Sequence, residues 1–138
     1  MKLIFVEEKD RYKSDAFIIV VFNIQAIDSK LMKNGEKKAK FQIGEIIYHK
    51  RFDYRGVVVD VDPSFSGTEE WYNKMARSNP PKNEPWYHVL VHQAEHSTYV
   101  AEKNLETDLT GKPIAHRFLN QFFSELRSGV YVSLHVSH

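Results

Sequence analysis

Cysteine is absent from the 138 residues. That excludes disulfides, thiolate-bound zinc and a cysteine nucleophile, and it fits a reducing cytosol. Long apolar runs are absent too. The longest, AFIIVVF over residues 16–22, is broken by Asn23 and Gln25. A membrane-crossing helix needs roughly 18–20 apolar residues, so no membrane span is expected. Glu7, Glu8, Asp10 and Asp15 stand where a signal peptide carries positive charge, and no small-residue cleavage site follows, so no secretion signal is expected. The sequence has no G-x-S-x-G, P-loop, G-x-G-x-x-G or H-E-x-x-H. Charge of one sign is also lacking. Net charge is +1, made of +2 over residues 1–39 (eight Lys/Arg, six Asp/Glu), −3 over 40–108 (eight, eleven) and +2 over 109–138 (three, one). A protein living on phosphate contacts should be basic at its centre, so this pattern does not predict strong generic DNA binding.

What is present suits a folded domain. Hydrophobic residues make up 42% and charged residues 27%, with nine Phe, seven Tyr and two Trp as bulky core material. Residues 1–39 read as an extension holding one buried strand, FIIVVFNI, and a lysine-rich linker, DSKLMKNGEKKAK. Met32 inside that linker reads as a plausible true start. Within 40–108, GEIIYHK and VVVDVD read as two strands of a hairpin, joined by FDYRG. Simple alternation puts Val57, Val59 and Val61 on one face and Val58, Asp60 and Asp62 on the other. Pro63 ends the strand. Ser66 and Glu69 fit a capping box for a helix over roughly 67–77, with Trp71 and Met75 inward. RSNPPKNEP is a loop. Trp86 to Val91 reads as a strand, HQAEH as a turn and STYVAE as the returning strand, with Leu105 packed inward. Trp86 and Tyr87 fall on opposite faces, so one should be core and the other exposed, where it could anchor a partner. Beyond 108, Ile114, Phe118, Phe122 and Leu126 recur at helical spacing, which predicts an amphipathic helix over 113–126, and VYVSLHV (130–136) a last strand.

Three clusters invite a chemical reading. His88, His92 and His96 recur every four residues. On a strand, however, the first two lie about 13 Å apart at ~3.3 Å per residue and cannot share one ion. Asp60 and Asp62 form D-x-D, a spacing found where carboxylates hold a divalent cation, but a strand end opening the turn at Pro63 is the plainer reading. The most function-like stretch is YHKRFDYRG. His49, Lys50, Arg51 and Arg55 interleave with Tyr48, Phe52 and Tyr54 around a turn. Such a tip can meet phosphates and stack on bases, or it can be a solvated hairpin whose aromatics cover the domain's end.

The segments KFQIGEIIYHKRFDYRGVVVDVDPSF, WY, PPKNEPWYHVLV and HSTYVAEKNL, in that order, resemble the HspQ/YccV-like family of hemimethylated-DNA-binding proteins. The resemblance covers residues 40–108, and 109–127 look like the tail of some members. It implies a small SH3-like antiparallel β-barrel; with the helices read above, the expected fold is mainly β, such a barrel with one short inserted helix and a C-terminal helix. It further implies a non-enzymatic heat-shock factor linked to hemimethylated DNA and to turnover of the replication initiator DnaA. An adaptor role for the Lon protease and self-association, possibly as a trimer, also follow from it. The expectation is therefore a cytoplasmic binding protein without cofactor or metal. Its DNA-or-partner surface is placed at His49, Lys50, Arg51, Tyr54 and Arg55. In the alternative, a protein adaptor, Trp86, Phe118 and Phe122 are the anchors. An enzyme using Asp60, Asp62 and the histidines with a divalent metal is the weakest of the three.

Overall fold

The structure is a computed structural model that describes residues 38–134. The expected strand FIIVVFNI (17–24), Met32, most of the linker, and 135–136 of the last expected strand lie outside the described residues.

The two apolar stretches around the first turn pair as expected. Strand β1 (Ile46–His49) runs antiparallel to β2 (Tyr54–Asp62), with Ile46 opposite Val57 and His49 opposite Tyr54. β2 pairs with β3 (Trp86–Val91), and β3 with β4 (Ser97–Ala101). A 3-10 turn over Glu102–Asn104 then returns the chain, so that β5 (Leu105–Thr107) pairs with the free edge of β1. The five strands lie in the order β4-β3-β2-β1-β5, all antiparallel. The fold is mainly β. Among the described pairings β4 and β5 remain the two edges, so the closed ring of an SH3-like barrel is not among them.

Both faces of this sheet are covered, which explains why apolar residues occupy successive positions, as at Ile46–Ile47, Val57–Val58–Val59 and Val89–Leu90–Val91. Phe41, Ile47, Val58, Tyr87, Val89, Val100 and Leu105 form one core layer. Ile46, Val57, Val59, Leu90, Ile114, Phe123 and Tyr131 form another on the opposite side. Trp86, Tyr99, Ala76 and Ala101 form a third cluster, with Phe65, Trp71 and Tyr72 packed on it. A fully buried Val, Leu, Ile or Phe among them contributes roughly 1.5–3 kcal/mol. Trp86 and Tyr87 are both completely buried, so neither is the exposed member of the pair that alternation predicts. Their hydroxyl and indole groups stay paired: Trp86 Nε1 donates to the Pro81 carbonyl, and the Tyr87 hydroxyl accepts from the amides of Lys40 and Phe41 and donates to Glu102.

Helix α1 is shorter than expected, Glu69–Met75, and its cap is Thr68, whose hydroxyl accepts from the Trp71 amide at 3.0 Å. Ser66 does not cap it, because its hydroxyl donates to the buried Asp62 instead. The predicted helix over 113–126 is not formed. Residues 119–122 make a single turn, α2 (Leu119–Phe122), and the chain then extends as β6 (Phe123–Arg127), paired with β7 (Val130–Ser133). Ser128 and Gly129 between them both hold positive φ, 52° and 85°, the geometry of a two-residue hairpin turn. That turn and the burial of Phe123 and Tyr131 override a helical spacing too weak to act alone. The expected last strand is present over 130–133. The β6–β7 hairpin closes over β1: Tyr131 N donates to the Gly44 carbonyl at 2.9 Å, and Glu45 bridges Val130. Gly44 has φ +98°, and a Cβ there would overlap the Tyr131 carbonyl, so both its backbone angle and the close approach demand glycine.

No helix of the described residues is long and apolar enough to cross a membrane.

Candidate functional site

The β1–β2 turn is built around an internal histidine. His49 ends β1 and is completely buried. Its Nδ1 accepts from the amides of Arg51 (3.2 Å) and Phe52 (3.0 Å), and its carbonyl accepts from the Asp53 amide at 2.9 Å. Phe52 and Tyr54 lie against the ring, with centroids 4.9 and 4.8 Å away. Asp53 takes the left-handed conformation, φ 57°, that a short polar side chain tolerates, and its carboxylate accepts from the Tyr48 hydroxyl at 2.5 Å. That bond raises the Tyr48 pKa, with lesser help from burial.

This construction divides the five residues expected at the surface. Lys50 and Arg51 are exposed at the tip, with the Arg51 guanidinium over the Phe52 ring at 5.5 Å. His49 is inside the turn. Tyr54 is half-buried, its hydroxyl sharing a hydrogen bond with Thr98 Oγ1 at 2.8 Å. Arg55 is turned into the fold, where it donates to both Asp108 carboxylate oxygens (3.0 and 3.3 Å) and to the Lys112 carbonyl. The structure thus brings Lys50 and Arg51 together as a basic tip and assigns the other three to its support. It also adds a cation that sequence distance conceals. Lys50 N donates to the Asn104 carbonyl at 2.8 Å, which sets exposed Lys103 beside the tip.

The residues of the alternative surface separate. Trp86 is inside, as above. Phe118 and Phe122 are half-buried at either end of α2, and Phe122 packs with the second core layer. The three histidines also diverge. His92 Nδ1 accepts from the Ala115 amide at 2.9 Å, and the His96 carbonyl takes a hydrogen bond from His116 Nε2 at 3.1 Å. His88 faces elsewhere.

Where it faces was not legible as alternation. The β2–β3 register shifts between Val58 and Asp60 through a β-bulge. The extra residue reverses the parity of the strand end. Val61 therefore joins the layer of Val58, and Asp60 and Asp62 turn to the face of Trp86. Asp60, Asp62 and His88 then converge: one donor atom from each lies within 4.8 Å of the others. His88 Nε2 is 3.1 Å from Asp62 Oδ2, which also accepts from Tyr99 (2.6 Å) and Ser66 (2.7 Å). Burial would raise the Asp62 pKa, but these three partners outweigh it and hold the carboxyl below its usual range. Asp60 has less support. Burial pushes it up to about 7, against the opposing pull of His88. D-x-D was the only signal in the sequence for this cluster, and nothing in the sequence tied it to His88.

The β1–β2 turn thus presents two exposed cations at one end of a small antiparallel sheet. The profile described as "Hemimethylated DNA-binding protein YccV like" matches residues 39–130, and the chain belongs to this YccV-like family. It is also similar to "F-box only protein 21" of Homo sapiens and of Pongo abelii, each 32% identical over 94 residues. The match takes in 67% of this chain but spans only 15% of the length of those curated relatives.

Proposed function

We propose that the protein is a non-enzymatic DNA-binding module of the hemimethylated-DNA-binding type, with Lys50, Arg51 and Lys103 as its phosphate contacts. The observation that carries this reading, beside the family, is the placement of Lys50 and Arg51 on a hydrogen-bonded turn. The His49 ring and carbonyl hold the backbone beneath them, so little loop ordering remains on binding. The acidic centre is a weaker objection than it first reads. Asp60, Asp62 and Asp108 are buried, and Asp108 is paired with Arg55, itself largely buried. Setting these aside leaves seven basic against eight acidic residues facing solvent over 40–108. The cytosol is the compartment that suits this reading, and a small barrel-like closure of the sheet suits it as a scaffold.

The test is fluorescence anisotropy with fully methylated, hemimethylated and unmethylated duplexes across a salt series. Lys50→Glu with Arg51→Glu should reduce affinity at least tenfold. Each lost phosphate contact should also flatten the log–log salt slope by about 0.9. Unchanged affinity and slope reject this surface.

A second reading is a protein adaptor, by family resemblance for a Lon-type protease with DnaA among its clients, working with or without self-association. Apolar residues left exposed around β7 support it: Ile43, Val130 and Leu134 are each at least 40% exposed beside the Gly44–Tyr131 junction. Protease capture unaffected by Phe118→Ala with Phe122→Ala, and by Val130→Ser, would remove it.

A further inference from the structure

The buried cluster on the β2–β3 ladder has donors that the fold itself does not use. Asp60 is 8% exposed and Asp62 6%. Among the described residues the one hydrogen bond to Asp60 comes from the next residue's amide, Val61 N to Oδ1 at 2.9 Å, and Oδ2 receives none. The three donors on Asp62, from His88, Tyr99 and Ser66, all converge on Oδ2, so Oδ1 is likewise open. Neither open oxygen is fully enclosed, but the two carboxylates lie side by side with more than nine-tenths of each residue buried, and they repel. A metal-bound His88 is a neutral imidazole, so the two carboxylates carry two negative charges between them, and a divalent cation held at the same point would balance them.

From this geometry we infer that Asp60, Asp62 and His88 form a binding site for a first-row divalent cation of the zinc type. The donor set selects the class. A nitrogen with two carboxylate oxygens suits Zn2+, whereas Ca2+ requires six to eight oxygens, and Mg2+ keeps its waters. Two ligands about 2.1 Å from one tetrahedral ion stand about 3.4 Å apart, so donors within 4.8 Å need only side-chain rotation to close. The ligands sit on two adjacent paired strands, with Asp60 opposite His88 in register, which fixes their backbones. Ser66 and Tyr99 already hold Asp62 by one oxygen and would serve as outer-shell donors orienting the other toward the ion. The His88 side chain is 17% exposed, so the cluster opens to solvent on that side, and a water can complete the coordination. The bound ion would fasten β2 to β3 next to the Phe65–Trp71–Tyr72 cover. This inference is independent of the DNA reading.

The test uses the full chain, stripped with a chelator and dialysed, then titrated with Zn2+ by calorimetry, with elemental analysis of the product. One equivalent should bind and raise the melting temperature. Co2+ should bind at the same stoichiometry with visible d–d absorption of mixed nitrogen and oxygen coordination. Asp60→Asn, which keeps the shape and removes a buried charge, should lower affinity at least tenfold while the far-UV spectrum is retained. His88→Gln should do the same. His135→Gln with His138→Gln should leave binding intact. Less than stoichiometric Zn2+ in the wild-type chain would overturn the inference and leave the cluster an internal ion pair only. Undiminished binding in Asp60→Asn and His88→Gln, or loss only in the tail variant, would overturn it as well.

Discussion

Replacing Asp108 by Asn should separate the framework role of Arg55 from any role at DNA. The Asp108 side chain is 3% exposed and that of Arg55 16%, and they share a two-pronged contact of 3.0 and 3.3 Å. Removing one partner of a buried pair costs about 3–5 kcal/mol. Asn retains the shape and one accepting oxygen, so about 2 kcal/mol is expected. In a domain of this size, each kcal/mol corresponds to a Tm change of roughly 4–8 °C, which gives a fall of about 8–16 °C at neutral pH. The pH dependence has a definite sign. Burial works to raise the Asp108 pKa, but Arg55, Thr110 and the Gly111 amide outweigh it, and the folded value is lowered. The contribution is therefore present above the unfolded pKa of about 3.9 and lost as pH falls through the lower folded value. Thermal melts of the two chains should differ most near neutral pH and converge in acid. Arg55→Met, which leaves the Asp108 carboxylate buried without its partner, should lower the melting temperature at least as much as Asp108→Asn, and both should bind duplex like the wild type when assayed well below their transitions. Equal melting of Asp108→Asn and the wild type would refute the clamp. So would a loss of DNA affinity in Arg55→Met that Asp108→Asn does not share.

Gly44→Ala should cost several kcal/mol, or about 3 kcal/mol with partial relaxation, because the added carbon meets the Tyr131 carbonyl at a left-handed backbone position. Urea midpoints would check it, and an unchanged midpoint would mean that β7 does not dock there. Tyr87→Phe strands the buried Phe41 amide and removes the bond to Glu102, so about 1–3 kcal/mol should be lost without any change in the DNA salt slope. Phe65→Ala opens the aromatic cover over Trp86, 4.9 Å away between ring centroids, and should cost about 2–3 kcal/mol and shift the indole emission to the red. An unmoved spectrum would show that the cover does not shield Trp86.

Much of the sheet was legible because its signals are local. Isoleucine and valine runs bounded by turn residues place β1 and β2, and Pro85 with the following aromatic and branched residues places β3. The tip cations Lys50 and Arg51 could also be found, since a basic–aromatic stretch around a turn is a surface pattern. Local signals misled where a longer-range partner competed. Ser66 has the spacing of a cap, yet Asp62 takes its hydroxyl and leaves the helix to Thr68. Ile114, Phe118, Phe122 and Leu126 have helical spacing, yet the Ser128–Gly129 turn and the second core layer draw Phe123 to Arg127 into a hairpin.

The sequence by itself determined the class of fold and the family, because strand-forming runs, turns and motif order are properties of neighbours along the chain. Only the tertiary structure decided which polar groups face water and which face each other. His49 and Arg55 look like surface cations in the sequence, but closure of the turn and the partner at Asp108 take them inside. Asp60 and Asp62 look like a strand end, but one bulged residue turns both toward His88, which lies on another strand. The physical reason is that a one-residue register change reverses every side chain beyond it, and no local pattern encodes that change.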